Sequence, residues 1–153
     1  MCPFCQKTPA EYFATSARFA AIYNVAPIVP GHSLVIPKQH VESLFDLPDD
    51  VFAEMMHFSR RVMQFLCAYF HTDAFDWAIQ EKPAAGQSIA HLHMHLIPRY
   101  ENDLPLPGDW YVRMVASDQQ QIDVHHRSRL SGKTLQEITA QLKQAAEAYF
   151  ASN

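Results

Sequence analysis

Residues 91–97 read HLHMHLI, with a histidine at every second position and an apolar side chain at each position between. Because the side chains of a β-strand alternate between its two faces, this pattern predicts a strand with Leu92, Met94 and Leu96 buried against a core. The three imidazoles then share the opposite face. With 9 histidines in 153 residues, chance gives about 0.03 such triplets in a chain of this length. The alternation therefore indicates a functional site rather than a polar strand that happens to be rich in histidine.

The flanking patterns predict an α+β fold, with a mostly antiparallel sheet of about five strands and helices on one side. Strands are predicted at residues 18–23, 33–36, 76–80, 92–98 and 110–115. Apolar side chains spaced three and four residues apart over residues 48–70 predict a long central helix. Thr134 and Glu137 form a capping box, which predicts a C-terminal helix over residues 134–150.

Length and composition predict one domain over residues 1–153. Hydrophobic residues make up 48% of the chain and charged residues 18%, which is typical of a globular protein. Within this domain, residues 12–100 carry the motifs, and residues 101–133 are predicted to form an irregular segment before the C-terminal helix. His125, His126 and Arg127 are expected to be solvated in that segment.

Charge and cysteine content narrow the partners and the compartment. The net charge of −4 argues against binding of a nucleic acid polymer through bulk electrostatics and leaves a small molecule as the expected partner. No apolar run is long enough for a secretory signal or a bilayer span, so we expect no membrane partner. The chain has 3 cysteines, an odd number that does not suit a disulfide framework and indicates the cytoplasm.

A metal site is a second interpretation of the histidine triplet. Alternate residues on a strand are about 6.6 Å apart, so two neighbouring imidazoles can share one ion. The outer pair is about 13 Å apart, too far for all three to bind the same ion. At least one histidine is therefore left for another role.

The HLHMHLI stretch resembles the signature of the histidine triad (HIT) superfamily. Residues 19–24, 30–32, 34–37 and 80–99 are similar in order and spacing to its Fhit branch. The resemblance implies a HIT-like fold and a nucleotide hydrolase that attacks an α-phosphate through a covalent nucleotidyl-histidine. Dinucleoside polyphosphates such as diadenosine tri- or tetraphosphate are the implied substrates. A homodimer is also implied, because HIT proteins commonly continue their sheet across a subunit contact.

The resemblance assigns roles to single residues. His93 takes the place of the nucleophile, and we expect its ring to point out of the strand into a phosphate pocket. His95 takes the place of the histidine that contacts the substrate phosphate or the leaving group, and His91 completes the triad. His32 takes the place of a histidine that supports the nucleophile strand.

Other residues are assigned to the nucleotide in the same way. Asn24 is implied to contact the nucleoside sugar, and Gln80, which lies ahead of the connecting loop, is implied to contact the ligand. Four residues are implied to line the phosphate site, namely Gly86, Gln87, Ser88 and Ile89. Gln87, Ser88 and a protonated His95 are suited to stabilise charge on the phosphate oxygens. The alternative for Asn24 and Gln80 is a polar residue that satisfies its own turn or strand.

The N-terminus departs from the Fhit branch. Cys2 and Cys5 have the spacing of a zinc knuckle, and His40 and His91 are the natural remaining ligands. Bacterial HIT proteins and galactose-1-phosphate uridylyltransferases look similar here, which implies a structural zinc. The alternative is a frayed terminus with two free thiols. No carboxylate cluster accompanies the triad, so any Mg²⁺ is expected to arrive with the substrate, and no organic cofactor is expected.

Other functions stay open on the sequence. A Hint-like nucleoside phosphoramidase would use the same residues on another leaving group. A nucleotide-binding or signalling module would keep the pocket with negligible turnover, and a zinc-dependent hydrolase would use the metal in the reaction. Trp110 and Tyr111 suit stacking on a base, but equally burial in the core or at a subunit contact.

Overall fold

The computed structural model describes residues 1–118 and 129–152 of the chain. Its centre is an antiparallel sheet of five strands in the order β1-β2-β3-β5-β4. The strands are β1 (Ala14–Thr15), β2 (Phe19–Tyr23), β3 (Ser33–Pro37), β4 (Ala74–Ile79) and β5 (Met94–Arg99). The three helices are α1 (Asp49–Phe70), α2 (Asp109–Asp118) and α3 (Gly132–Ser152). The α+β class, the antiparallel sheet and the two long helices confirm the prediction.

Helices α1 and α3 pack on one face of the sheet. The largest cluster of buried side chains joins alternate residues of β2 and β5 to both helices, including Phe19, Met94, Leu96, Val62 and Leu142. Burying a side chain of this size contributes roughly 1.5–3 kcal/mol to folding. Leu92 belongs to the same cluster, so the apolar half of the HLHMHLI pattern faces the core as predicted.

Helix α1 follows the predicted periodicity closely. Asp49 and Asp50 occupy its first turn, where the helix dipole favours negative charge. The helix ends at Phe70, and the residue that follows it, His71, has a φ of 56° in the left-handed region. The buried side chains lie on one face, at Met55, Phe58, Ser59, Val62, Met63, Phe65 and Leu66. The helix therefore forms because one apolar stripe has the sheet to cover it.

The opposite face of the sheet is covered by the N-terminal segment. Phe4 packs there in a second cluster with Ala20, Ile22, Leu34 and Ile36. His95 pairs with Leu34 across β3 and β5, so its side chain lies on this same face. We call this side of the sheet the histidine face.

Two sequence expectations for residues 101–133 were wrong. The strand predicted at residues 110–115 is the helix α2, and the segment is therefore not irregular throughout. The half-buried Trp110 packs against Val29 and Ile97, and Met114, four residues on, is buried, which is helical spacing. The fifth strand of the sheet is instead β1, whose two residues are too short to show an alternating pattern.

The start of the last helix also differs from the prediction. The Oγ of Ser131 accepts the Thr134 N–H at 3.1 Å, so Ser131 takes the capping role that the sequence assigned to Thr134. The helix begins at Gly132 and extends to Ser152, beyond the predicted 134–150. His125, His126 and Arg127 lie outside the described residues. That residues 1–153 form a single domain stays a prediction.

Within residues 1–118 and 129–152, no helix has both the length and the apolar character needed to cross a bilayer.

Candidate active site and metal group

The three histidines of the triplet do not share one strand. Only His95 lies in β5, which begins at Met94 rather than at the predicted residue 92. The Leu92 N–H bonds to the Val41 carbonyl at 2.6 Å and the His91 N–H to the Ile89 carbonyl at 2.8 Å. The backbone before Met94 is thus held by neighbouring loops instead of by a strand partner.

The ring of His93 is oriented by a backbone carbonyl. Its Nδ1 lies 2.7 Å from the carbonyl oxygen of His91, and since that oxygen only accepts, Nδ1 must donate. In the neutral ring the lone pair is therefore on Nε2. The sequence predicts that this ring points out of a strand into a pocket. His93 instead precedes β5 and is nearly buried, with 5% of the residue exposed. Its neighbours are the rings of Phe4 at 5.3 Å and His95 at 5.1 Å, measured between centroids.

A second histidine, His32, fixes the tautomer of His95. Nδ1 of His32 accepts the Ile28 N–H at 3.2 Å, so in the neutral ring the proton of His32 is on Nε2. That Nε2 lies 2.9 Å from Nδ1 of His95 and donates to it. His95 consequently holds its own proton on Nε2 when it is neutral. Both rings are buried, with exposures of 0% and 4%.

Asn24 lies beside this histidine pair. Its Oδ1 accepts the Ala26 N–H at 2.9 Å, which is the turn role that the sequence left open for it. Its Nδ2 is 3.3 Å from Nε2 of His32. Nδ2 of Asn24 always carries hydrogen, and Nε2 of His32 carries hydrogen in the neutral tautomer given above. The two atoms are therefore both donors and do not form a hydrogen bond. The bond to Ala26 still fixes which way the carboxamide points.

Gln80 and Gly86 are brought together at the entrance of the loop before the triplet. The β4–β5 register pairs Ala78 with His95 and Ile79 with Met94, so continuing it by one residue brings Gln80 opposite His93. Gly86 has a φ of 95°, and a Cβ built there would lie 2.8 Å from Nε2 of Gln80. Only glycine fits this backbone without displacing the Gln80 carboxamide.

Two buried carboxamide nitrogens in this region have no hydrogen-bond partner among the described residues. They are Nε2 of Gln80 and Nε2 of Gln87. Oε1 of Gln87 accepts the Lys82 N–H at 2.7 Å, which fixes Nε2 as its remaining donor. A buried donor without an acceptor costs about 1–3 kcal/mol, and the oxygens of an anionic ligand would satisfy both. Ser88 is exposed in this loop, whereas Ile89 packs against the Phe4 cluster.

The N-terminal cysteines are not frayed. The ligand atoms of Cys2, Cys5, His40 and His91 all lie within 4.8 Å of one another. Nδ1 of His91 is 3.4 Å from Sγ of Cys2 and 3.6 Å from Sγ of Cys5. Nδ1 of His40 is 3.3 Å from Sγ of Cys5. These three distances lie in the range of about 3.3–3.8 Å that tetrahedral zinc imposes on such atoms, so this donor set, the metal group from here on, suits one tetrahedral ion.

Groups behind the two imidazoles orient them for a metal. Nε2 of His91 donates to the Pro37 carbonyl at 3.0 Å, which leaves the Nδ1 lone pair facing the thiols. Nε2 of His40 lies 3.6 Å from the Glu42 carboxylate. Burial lowers the pKa of His91 against the raising effect of its hydrogen bond to Pro37, and the charges of His40 and His93 add smaller lowering effects. Such outer contacts set the tautomer and strengthen the ligands.

Desolvation, then the hydrogen bond and charge of Cys2, raise the pKa of Cys5. A bound cation would reverse this effect and deprotonate the thiol. In the His91 ring, Nε2 donates to the Pro37 carbonyl and Nδ1 faces the two thiols. His91 therefore orients His93 through its backbone carbonyl oxygen and not through its ring.

The sequence-predicted residues thus separate into two adjoining groups, a metal group and a set around His93, His95, His32, Asn24 and Gln80. Sequence reasoning missed Phe4 and the backbone groups of Ile28 and Pro37. Phe4 stands between the two cysteines, which is a usable signal. Nothing in the residue types at 28 and 37 indicates that their N–H and carbonyl groups face histidines.

A family model described as the HIT domain matches residues 6–102. The chain is 35% identical over 94 residues to a bis(5'-adenosyl)-triphosphatase of Dictyostelium discoideum, covering 61% of this chain and 63% of that protein. It is 36% identical over 94 residues to an asymmetrical bis(5'-nucleosyl)-tetraphosphatase of Schizosaccharomyces pombe, covering 61% of this chain and 52% of that protein. The match therefore spans less than two thirds of either relative.

A solved structure shares the whole fold. The zinc-bound histidine triad family protein of Mycobacterium smegmatis superposes with a TM-score of 0.71 at 25% identity, covering 99% of this chain and 97% of that one.

Proposed function

This chain belongs to the HIT domain family, and on that premise we propose that it hydrolyses dinucleoside polyphosphates through a covalent intermediate on His93. The names of the relatives from Dictyostelium and fission yeast support the substrate class. The observation that carries the proposal is the donation of the His93 Nδ1–H to the His91 carbonyl at 2.7 Å. That bond puts the lone pair on Nε2, the atom that must attack phosphorus.

The reaction proceeds in two displacements. Nε2 of His93 attacks the α-phosphorus, a P–N bond forms, and the bond from phosphorus to the bridging oxygen breaks. The remaining nucleotide leaves with the electron pair of that bond. Water then cleaves the P–N bond, which releases a nucleoside monophosphate and restores the neutral imidazole.

His95 assists at the phosphate. Its Nε2–H, fixed through His32 and Ile28, donates a hydrogen bond to a phosphate oxygen or to the leaving oxygen. Because the transition state carries negative charge spread over the phosphate oxygens and growing on the leaving oxygen, a donor held in place beforehand lowers the barrier. The 5.1 Å between the rings of His93 and His95 supports their action on the same phosphate.

The loop before the triad supplies further donors. The buried Nε2 atoms of Gln80 and Gln87, which lack partners among the described residues, suit two phosphate oxygens. Gly86 allows the loop to approach, Ser88 offers a hydroxyl, and Ile89 completes the lining. The Nδ2 of Asn24 is proposed to reach the nucleoside sugar.

The metal group is proposed to hold a structural zinc ion, with Cys2, Cys5, His40 and His91 as its ligands. The geometry of the four ligand atoms and the zinc in the mycobacterial neighbour support this. Bound zinc would join the N-terminal segment to the loops at residues 37–41 and 89–91. Among the described residues, no cluster of carboxylates is found that could hold a second metal ion. Mg²⁺ is therefore proposed to arrive with the polyphosphate.

An exposed sheet edge and three free thiols bear on the assembly and the compartment of the chain. β4 is an edge strand of the sheet, and Phe75 on it is 50% exposed, which suits pairing with a second copy. Cys2, Cys5 and Cys67 are free thiols, which suits the cytoplasm. We propose a cytoplasmic homodimer with a small nucleotide as its substrate, and neither a nucleic acid polymer nor a membrane as a partner.

Turnover of diadenosine triphosphate, diadenosine tetraphosphate and adenosine phosphoramidate by the full chain tests the function. We expect hydrolysis of the polyphosphates, loss of turnover in His93→Ala with retained AMP affinity, and unchanged turnover in His57→Ala, an exposed control on α1. Mass spectrometry of quenched reactions should find the nucleotidyl adduct on His93. Preference for the phosphoramidate would favour the Hint-like function, and AMP binding without any turnover would favour the binding module.

A further inference from the structure

The ring of Phe4 lies between the metal group and the proposed nucleophile. Phe4 stands between Cys2 and Cys5 in the sequence. Its ring centroid is 5.5 Å from that of His91 and 5.3 Å from that of His93, at interplanar angles of 83° and 62°. One aromatic side chain therefore contacts a metal ligand and the attacking histidine at once.

The sheet and the cysteines together fix where this ring lies. Phe4 is 8% exposed and packs on the histidine face against the apolar cluster described above. The flanking thiols otherwise contact His40 and His91 at 3.3–3.6 Å, and thiols are weak hydrogen-bond donors. A metal ion on the four ligands would replace these weak contacts with coordinate bonds.

The direction of Nε2 on His93 depends on the groups around its ring. The His91 carbonyl holds Nδ1, but a single hydrogen bond lets an imidazole rock about it. Phe4 at 5.3 Å and His95 at 5.1 Å, both edge-on, limit that rocking. Aromatic pairs at such separations prefer this arrangement.

We propose that Phe4 is a positioning residue for His93, and that metal binding by Cys2 and Cys5 fixes Phe4 in that position. The inference rests on the proposed function, in which His93 is the nucleophile. The metal then aligns the nucleophile from outside the reaction. Displacement of a reacting atom by about 1 Å costs up to about a hundredfold in rate.

Phe4→Leu in the zinc-loaded full chain tests the first half. Leucine keeps apolar volume but removes the ring edge, so we expect kcat for diadenosine triphosphate to fall about tenfold, with KM changed less than about twofold. Phe4→Tyr should restore kcat, and Phe45→Leu, at a residue that is 95% exposed, should leave it unchanged. An unchanged kcat in Phe4→Leu, or a loss confined to KM, would overturn the proposal.

Removal of zinc tests the second half. If zinc acts through Phe4, chelation lowers kcat in the wild type about as far as Phe4→Leu does, and adds little in the variant. Fully additive losses would show that zinc and Phe4 act separately and would overturn the link.

A spectroscopic readout independent of turnover completes the test. Long-range ¹H–¹⁵N spectra of the imidazoles should show a single Nδ1–H tautomer for His93 in the zinc-loaded wild type. Broadened His93 cross-peaks, from a ring that rocks about its Nδ1–H hydrogen bond, are expected in Phe4→Leu and after chelation, whereas unchanged linewidths in both contradict the inference. Failure of the proposed function is seen separately, because His93→Ala would then retain hydrolysis.

Discussion

Nε2 of His32 lies 2.9 Å from Nδ1 of His95, and the backbone N–H of Ile28 determines which of the two donates. Since Ile28 donates to Nδ1 of His32 at 3.2 Å, the proton of the neutral His32 ring is on Nε2. This Nε2–H therefore donates to Nδ1 of His95. A single peptide group thus sets the tautomer of two buried imidazoles. The consequence is an N–H on the side of His95 that is proposed to contact phosphate.

Replacement of His32 is expected to impair turnover without removing any proposed substrate contact. In His32→Asn, Nδ1 of His95 loses its fixed donor, so its tautomer is no longer determined. We expect kcat to fall about ten- to hundredfold, with little change in KM. The measurement is steady-state hydrolysis of diadenosine triphosphate, with His57→Asn as an exposed control. A variant with wild-type kcat would show that His95 acts without the help of His32.

Gly86→Ala tests the phosphate loop. Alanine at a φ of 95° is strained, and its Cβ would lie 2.8 Å from Nε2 of Gln80, so the carboxamide must move away. Because this donor is proposed for the phosphate, kcat/KM should fall about tenfold or more, consistent with the loss of one hydrogen bond to a charged group. Gly108→Ala, where nothing lies within 4 Å, is the matched control. Equal kinetics in both variants would remove Gln80 from the phosphate site.

The sequence predicts those parts of the molecule that repeat a pattern over many residues. Helix α1 shows its apolar stripe across 22 residues, and the alternation around His93 correctly places Leu92 and Leu96 in the core. The strand itself begins only at Met94, because periodicity reports which side a residue faces and not whether its backbone has a partner.

Other features leave no such pattern. β1 is two residues long and depends on its neighbour β2 rather than on its own composition. Trp110 and Val112 favour a strand by propensity, yet tertiary packing of Trp110 and Met114 produces the helix α2. The backbone groups of Ile28 and Pro37 act at the site through atoms that every residue possesses, so no residue type could indicate them.

Removal of the metal is expected to lower stability. Structural zinc in small sites contributes directly to folding, and here it would join three chain segments. Chelation should therefore lower the Tm of the wild type, while Cys2→Ser should begin at a lower Tm and respond little to chelation. Cys67→Ser, at a half-buried thiol in α1 outside the metal group, should retain the response. Differential scanning calorimetry with metal analysis measures this, and equal Tm values with and without bound zinc would contradict a structural role.

The ion pairs of Arg99 predict how stability depends on pH. Arg99 donates to both oxygens of Asp103 at 2.7 and 2.8 Å and to Asp76 at 2.7 Å. The side chains of Arg99 and Asp103 are largely buried, with exposures of 11% and 7%. Its hydrogen bonds lower the pKa of Asp103, against the opposing effect of desolvation.

A carboxyl whose folded pKa lies below its unfolded value stabilises the protein fully above the unfolded value, which is about 3.9 for Asp. Its contribution disappears as the pH falls from about 5 through the lower, folded pKa, because the unfolded chain binds the proton first. The free energy of unfolding from urea titrations should therefore decrease over this range in the wild type. Asp103→Asn should be less stable by about 3 kcal/mol at pH 7, because Arg99 loses its charged partner in a largely buried place. The difference between the two proteins should narrow towards pH 3, whereas Asp46→Asn, at an exposed carboxylate, should parallel the wild type throughout. A constant difference from pH 7 to pH 3 would show that the charge of Asp103 is not what stabilises this contact.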